Sequence, residues 1–302
     1  MSNRNHHVVY PLNHFTVLDI VGKDAAAIVH NVTTNEIKSL KAGESGNPGE
    51  GRETFITDVR GKTIGHGYVI RHDFGFRFLG AGDQAETLAA HLDKYTIRED
   101  AVPRAMTDSY QSLILPGGID PKVVEGLVAG HSVVLYSTTI LGPGTLWCLV
   151  PAEGYEKVCG WLAQKDIELA DENHFHQARV AAAFPWYFVD LDEKNLPQEL
   201  DRDDLAVSFT KGCYLGQETV ARLDALGQVQ RKLVRWMIAD CVPPVGTTLD
   251  ADGKTVGRLT SVAADGNGSI ALGYARRTHF EPHSTAEGRD ETSGRTFTAT
   301  VT

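Results

Sequence analysis

An order of strand, helix, strand, strand and helix occurs twice along this chain and constrains its fold more than any other feature. The first copy consists of strand 15–21, a short helix that Asp24 can cap, strands 53–59 and 63–70, strand 76–79 and helix 84–95. Alternating apolar residues indicate the strands, and the glycine-containing turn at 60–62 is typical of a hairpin. This order predicts helices packed on one face of a mainly antiparallel sheet.

The second copy has a similar order, with one strand fewer before its last helix, and is followed by a segment of different character. It consists of strand 109–115, helix 120–128, strands 133–136 and 145–150, and helix 155–163. Asn173 is then predicted to cap a helix that carries His174 and His176. From Val229 onward, strand-like runs at 229–239, 254–262, 269–275 and 296–302 alternate with turn residues. We therefore predict an α+β protein with ferredoxin-like units and a small C-terminal antiparallel β-barrel.

Composition excludes several classes of function. The 302 residues include 39 acidic and 29 basic ones, a net charge of −10, which argues against an extended nucleic-acid surface. The four cysteines, at 148, 159, 213 and 241, form no C-x-x-C pair, so we expect reduced thiols and no cysteine-built metal site. Residues 1–15 lack a continuous apolar stretch, so we predict no signal peptide, no membrane partner and a cytoplasmic location.

The segment Lys211–Glu218, with the sequence K-G-C-Y-L-G-Q-E, is the densest cluster of chemically capable residues. Glycines on both sides of Cys213 and Tyr214 permit tight turns, and Lys211 can favour the thiolate of Cys213. A helical spacing of apolar residues begins at Gln217 and places Glu218 and Arg222 on one face. The residues also allow an alternative interpretation, in which Cys213 is a small buried thiol with a packing role only.

This segment, together with the following V-A-R and G-Q-V-Q-R-K-L strings, resembles the signature of the YgfZ family of folate-binding proteins, relatives of the glycine-cleavage T-protein. The resemblance continues in Asp190–Glu199, 256–261 and 271–275. Weaker matches in the first half, at 15–22, 24–35, 58–62 and 94–100, follow in the family's order.

The resemblance implies T-protein-like α/β sandwich units around a central cavity that binds tetrahydrofolate or a derivative. It implies an N-terminal folate-binding unit (1–105), a second unit with the motif (106–228) and the barrel (229–302). Expected partners are folate and iron–sulfur client or assembly proteins, including tRNA-modifying enzymes, without direct nucleic-acid contact. Cys213 and Lys211 would carry the chemistry, and the folate contacts would come from Glu199, Tyr214, Gln217, Glu218, Arg222 and Arg231.

Two alternatives remain open at this stage. A folate-dependent aminomethyltransferase would need the aspartate of its family after a glycine turn, where our alignment places Gly65 and His66. Gly65 has no proton-transfer group, and whether His66 replaces the acid is left open. A cysteine hydrolase would need a histidine near Cys213, for which the sequence offers His30, His66, His91 and His174.

Overall fold

The computed structural model describes residues 8–43, 48–226, 229–290 and 294–302. The strands are β1 (Val8–Leu12), β2 (Phe15–Val21), β3 (Gly51–Thr57), β4 (Thr63–His72), β5 (Gly75–Ala81), β6 (Val102–Ala105), β7 (Tyr110–Leu115), β8 (Val134–Thr138), β9 (Thr145–Pro151), β10 (Glu168–Leu169), β11 (Arg231–Ile238), β12 (Thr248–Ala251), β13 (Lys254–Asp265), β14 (Gly268–Arg276), β15 (Thr285–Arg289) and β16 (Thr296–Val301). The helices are α1 (Ala25–Val32), α2 (Ala85–Asp93), α3 (Pro121–Gly130), α4 (Tyr155–Gln164), α5 (Glu172–Ala181), α6 (Asp203–Ala206) and α7 (Gln217–Leu226).

The described chain divides into two compact units. The first contains residues up to Thr57, Ile64–Phe175 and Leu205–Leu215, and the second contains Asp58–Thr63, His176–Asp204 and the residues from Gly216 onward. The predicted three-domain division at 105 and 228 is not tested by this grouping and stays a prediction.

Two five-stranded sheets build the first unit. One has the order β3-β4-β5-β2-β6 and the other the order β10-β1-β7-β9-β8. Apolar residues of α1 and α2, Ile28, Val29 and Leu88 among them, pack on the first sheet because their spacing puts them on one helix face. Residues of α3 and α4 such as Leu127 and Leu162 cover the second sheet in the same way. Helices on antiparallel sheets are the predicted α+β arrangement.

A closed barrel of six strands, in the order β11-β14-β13-β12-β15-β16, dominates the second unit. Antiparallel pairing of β11 with both β14 and β16 closes the ring. Its interior is filled by residues that alternate along the strands, including Val234, Trp236 and Leu249. The predicted C-terminal antiparallel barrel is therefore confirmed.

Several local predictions were wrong. Helix α5 begins before Asn173, and the carboxylate of Asp171 accepts from the His174 N–H at 2.9 Å, so Asp171 caps this helix. Asp24 precedes α1 as predicted, but its carboxylate accepts from the Asp100 N–H at 2.8 Å instead of capping its own helix. Strands β1, β6, β10, β12 and β15 were not predicted.

Candidate functional site

The segment Leu205–Leu215, which carries Cys213, is fastened at both ends to residues of the first unit. At its start, the Asn35 side-chain amide donates to the carbonyl of Leu205 at 2.8 Å. At its end, the Leu215 N–H donates to the Asn31 carbonyl at 2.8 Å, and the Thr57 hydroxyl donates to the Leu215 carbonyl at 2.7 Å. These bonds hold the segment against the end of α1.

Lys211 is the central anchor of this segment. Its buried ammonium group donates to the carbonyls of His30, Thr33 and Asn35 at 2.8, 2.6 and 2.9 Å. It also lies 5.0 Å from the ring centroid of Tyr214. Burial lowers the pKa of Lys211 to about 7, whereas the carbonyl acceptors favour the charged form. Carbonyls take all three ammonium hydrogens, so Lys211 fixes the position of the loop that carries Cys213.

Cys213 is exposed, whereas its neighbours anchor the loop. Tyr214 is buried, and a Cβ atom added at Gly212 would lie 3.6 Å from Nε2 of His30. Cys148, in contrast, is buried in the core, where burial raises the pKa of its thiol to about 12. Cys213 is therefore an accessible thiol on a segment whose backbone is held in place by the neighbouring residues.

Replacing Lys211 by methionine is expected to lower the free energy of unfolding by about 1–3 kcal/mol, because the carbonyls at the end of α1 lose their buried donors. Denaturant titration measures this loss. The control is Lys38→Met, which changes an exposed lysine after the same helix and should cost less than about 0.5 kcal/mol. Equal stability of the two variants would show that the bonds from Lys211 do not hold the segment.

Glu199, the predicted pterin carboxylate, belongs to the second unit and is already engaged there. Its Oε2 atom accepts from the side chain of Asn195 at 2.7 Å and from Arg231 at 3.1 Å. Arg231 in turn lies over the ring of Tyr274, 4.8 Å from its centroid. The structure thus brings the predicted residues Glu199 and Arg231 together. They form a partly buried ion pair within the second unit.

The remaining predicted contacts lie on α7, also in the second unit. Gln217 is half-buried, while Glu218 and Arg222 are exposed. The helix is preceded by Gly216, with φ of +73°, where a Cβ atom would come within 2.3 Å of the Gly61 backbone. Glycine is therefore required at the entry to α7, because a side chain would collide with the backbone of that turn. The predicted end of this helix, Gly227, lies outside the described residues.

A cavity of about 580 Å³ opens in the first unit, between β3 and β4 on one side and β8 and β9 on the other. Its lining includes Tyr68, Ile70 and Tyr136, and Leu205 from the start of the Cys213 segment. Glu53 also lines it, although the sequence analysis did not single out this residue. The signal that would have identified Glu53 is a carboxylate directly before residues 54–57, the buried part of β3.

His66, whose role the sequence left open, is wholly buried beside this cavity and does not line it. Its Nε2 lies 2.8 Å from Oε1 of Glu53, and its ring stacks on Phe55 with the centroids 4.8 Å apart. Gly65 faces the apolar side chain of Leu88. Gly65 and His66 occupy the position of the transferase acid in the alignment. Neither of them therefore reaches the cavity directly.

The other histidines considered for a cysteine hydrolase lie in different surroundings. His174 is exposed and bonds Asp171 at 2.8 Å, and His91 packs against Tyr95. His30 lies beside Gly212, where burial and the neighbouring Lys211 lower the pKa of His30 to about 4. The imidazole next to the motif is therefore neutral at physiological pH.

Searches for metal and membrane features cover the described residues only. Within them, no group of three or more histidine, cysteine, aspartate or glutamate side chains is arranged to hold a metal ion. In the same part of the chain, every helix is too short or too polar to cross a membrane.

Comparisons with known proteins identify relatives over most of the chain, although no family model matches it. The human mitochondrial iron–sulfur cluster assembly factor IBA57 is 29% identical over 283 residues, which cover 87% of this chain and 76% of that protein. The tRNA-modifying protein YgfZ of Cronobacter sakazakii is 25% identical over 259 residues, covering 76% of this chain and 70% of that protein. The glycine cleavage system aminomethyltransferase T of Bartonella henselae superposes with a TM-score of 0.85 at 15% identity, covering 99% of this chain and 85% of that structure.

The structural match defines the class of the molecule, an α+β protein with the aminomethyltransferase T fold and a C-terminal barrel. At this identity the match establishes the fold alone. Within the class, the chain is a homologue of the proteins named YgfZ and IBA57. The family resemblance predicted from the segment around Cys213 is therefore confirmed.

Proposed function

We propose that this chain is a cytoplasmic, tetrahydrofolate-binding accessory protein that supports the assembly or repair of iron–sulfur clusters in client enzymes, including enzymes that modify tRNA. The observation that carries the proposal is the exposed thiol of Cys213, on a segment fixed by the buried ammonium of Lys211. The relatives IBA57, a cluster assembly factor, and YgfZ, a tRNA-modifying protein, agree with it.

The thiol has the accessibility that work on a partner protein requires. A lone cysteine cannot hold a cluster by itself, because such clusters generally take about four protein ligands. The other cysteines are buried or half-buried, so they do not complete a set at this surface. Any cluster that Cys213 ligates is therefore transient or shared with the client protein.

The chain's residues also fit a folate. The cavity of about 580 Å³ in the first unit is within the usual size of small-molecule sites, roughly 300–1,000 Å³. Tyr68, Tyr136 and Leu146 give it the aromatic and apolar wall that a pterin ring requires, and Arg52 is a cation suited to the glutamate tail. Leu205 belongs both to this wall and to the segment that carries the thiol of Cys213. A bound folate would supply one-carbon or redox chemistry, while the residues named here bind and orient it.

Titration calorimetry under anaerobic conditions tests the folate part of the proposal. We expect tetrahydrofolate or its 5-formyl derivative to bind with a dissociation constant near micromolar, about −8 kcal/mol. p-Aminobenzoyl-glutamate, which keeps the tail of the folate and lacks the pterin, is the control and should bind much more weakly. If neither folate binds, the folate function is wrong, and the thiol with its protein partners remains the object of study.

A further inference from the structure

Two ionisable side chains face each other inside the first sheet, on the neighbouring strands β3 and β4. Glu53 on β3 and His66 on β4 are 5% and 0% exposed, and their Oε1 and Nε2 atoms lie 2.8 Å apart. Burying such a pair is costly, and on average it adds little to stability compared with well-packed apolar residues. A pair that stability does not explain is a candidate for ligand recognition.

The two members of the pair have different access to the cavity. Glu53 lines it, whereas His66 lies behind Glu53 and does not. Stacking on Phe55, with an interplanar angle of 26°, fixes the plane of the His66 ring. His66 is therefore a positioning residue, because its imidazole holds one carboxylate oxygen of Glu53 in place.

The chemistry of the cavity around Glu53 narrows the class of ligand. Tyr68, Ile70 and Tyr136 present flat or apolar surface, and the hydroxyl of Tyr68 lies 3.0 Å from the hydroxyl of Thr139. That contact holds the Tyr68 ring in place. A carboxylate beside aromatic walls suits a planar heterocycle that carries N–H donors.

We propose that Glu53, held by His66, is the carboxylate that binds the N–H donors of the folate's pterin ring, in place of Glu199. This inference rests on the proposed folate function and assigns the recognition of that ligand to the first unit. A carboxylate thus enters the cavity from β3, the strand next to the one that carries Gly65 and His66.

Calorimetry with the 5-formyl folate compares the wild type with Glu53→Gln, which keeps the shape of the side chain and removes its charge. We expect affinity to fall by at least about tenfold, because a charge-assisted hydrogen bond is lost. Glu125→Gln is the matched control, an exposed carboxylate on α3 outside the cavity lining, and should change affinity by less than about twofold.

Two substitutions of His66 separate positioning from packing. His66→Gln keeps an N–H donor for Glu53 and should stay within about threefold of the wild-type affinity, whereas His66→Leu should lose at least about tenfold. Equal affinities of these two variants would contradict the positioning role. Melting temperatures measured alongside show which proteins are folded.

A further variant keeps the test decisive if the pair proves necessary for folding. Ser137 is an exposed residue of the cavity lining, so Ser137→Trp should fill the cavity without disturbing the sheet and abolish binding. Wild-type affinity in Ser137→Trp or in Glu53→Gln would overturn this inference while leaving the folate function standing. Absence of binding by the wild type would instead overturn the folate function and this inference together.

Discussion

Replacing Cys213 by alanine is expected to abolish the support of iron–sulfur enzymes while folding and folate affinity stay unchanged. The thiol is exposed, so its removal leaves no cavity in a core and no buried partner without a bond. The anchor of the segment, Lys211 with its three carbonyl acceptors, is untouched by this change. Loss of function with intact stability would therefore identify the chemistry of the sulfur atom itself.

The measurement is complementation in cells that lack the protein, with aconitase activity and thiolated tRNA as readouts. Cys213→Ser tests whether a hydroxyl of similar size suffices, and we expect that it does not. Cys241→Ala, at a half-buried thiol of the barrel, is the control and should complement fully. Full activity of Cys213→Ala would refute the thiol function whatever the folate measurements show.

The second large effect is expected on stability, at Asp190 in the second unit. Its carboxylate accepts from Arg179 at 2.6 Å, from the Trp186 N–H at 2.9 Å, and from the hydroxyls of Thr260 and Ser261, both at 2.6 Å. Both members of the ion pair are buried. Asp190→Asn leaves the Arg179 charge buried without its counter-ion, so we expect a loss of about 3–5 kcal/mol.

Denaturant unfolding followed by tryptophan fluorescence measures this loss. The control is Asp192→Asn, two residues along the chain, where a half-exposed carboxylate lies 3.7 Å from the ammonium of Lys194 and accepts from the Lys194 N–H, a bond that the asparagine oxygen can keep. A surface pair of this kind should contribute less than about 1 kcal/mol. Similar losses in the two variants would mean that the network around Asp190 does not stabilise the unit.

The sequence predicted the fold wherever side-chain periodicity determines the element. Strand β2 was predicted with its observed bounds, because seven residues of strand-like character end at a glycine. Strand β15, T-A-E-G-R, was missed because the residues that it turns toward the barrel interior are only Ala286 and Gly288. Small residues give no hydrophobic signal, although packing on the Phe297 ring leaves no room for a Cβ atom at Gly288.

The candidate site was predictable only where the information is local. The Cys213 segment was found from its composition, and the structure places its thiol at the surface. The anchoring of Lys211 depends on residues more than 170 positions away, which no local pattern can reveal. Likewise, the pairing of Glu53 with His66 depends on the register of two strands and became visible only in the folded sheet.

Closure of the C-terminal barrel limits how a client protein can be recognised. Among the described residues, pairing of β16 with both β15 and β11 leaves the ring without an edge strand, so these strands offer no free row of N–H and C=O groups to an incoming chain. Strand addition is therefore restricted to the open sheets of the first unit, whose outer strands are β3, β6, β8 and β10. Any partner that docks on the barrel must contact the side chains of the barrel instead of pairing with its backbone.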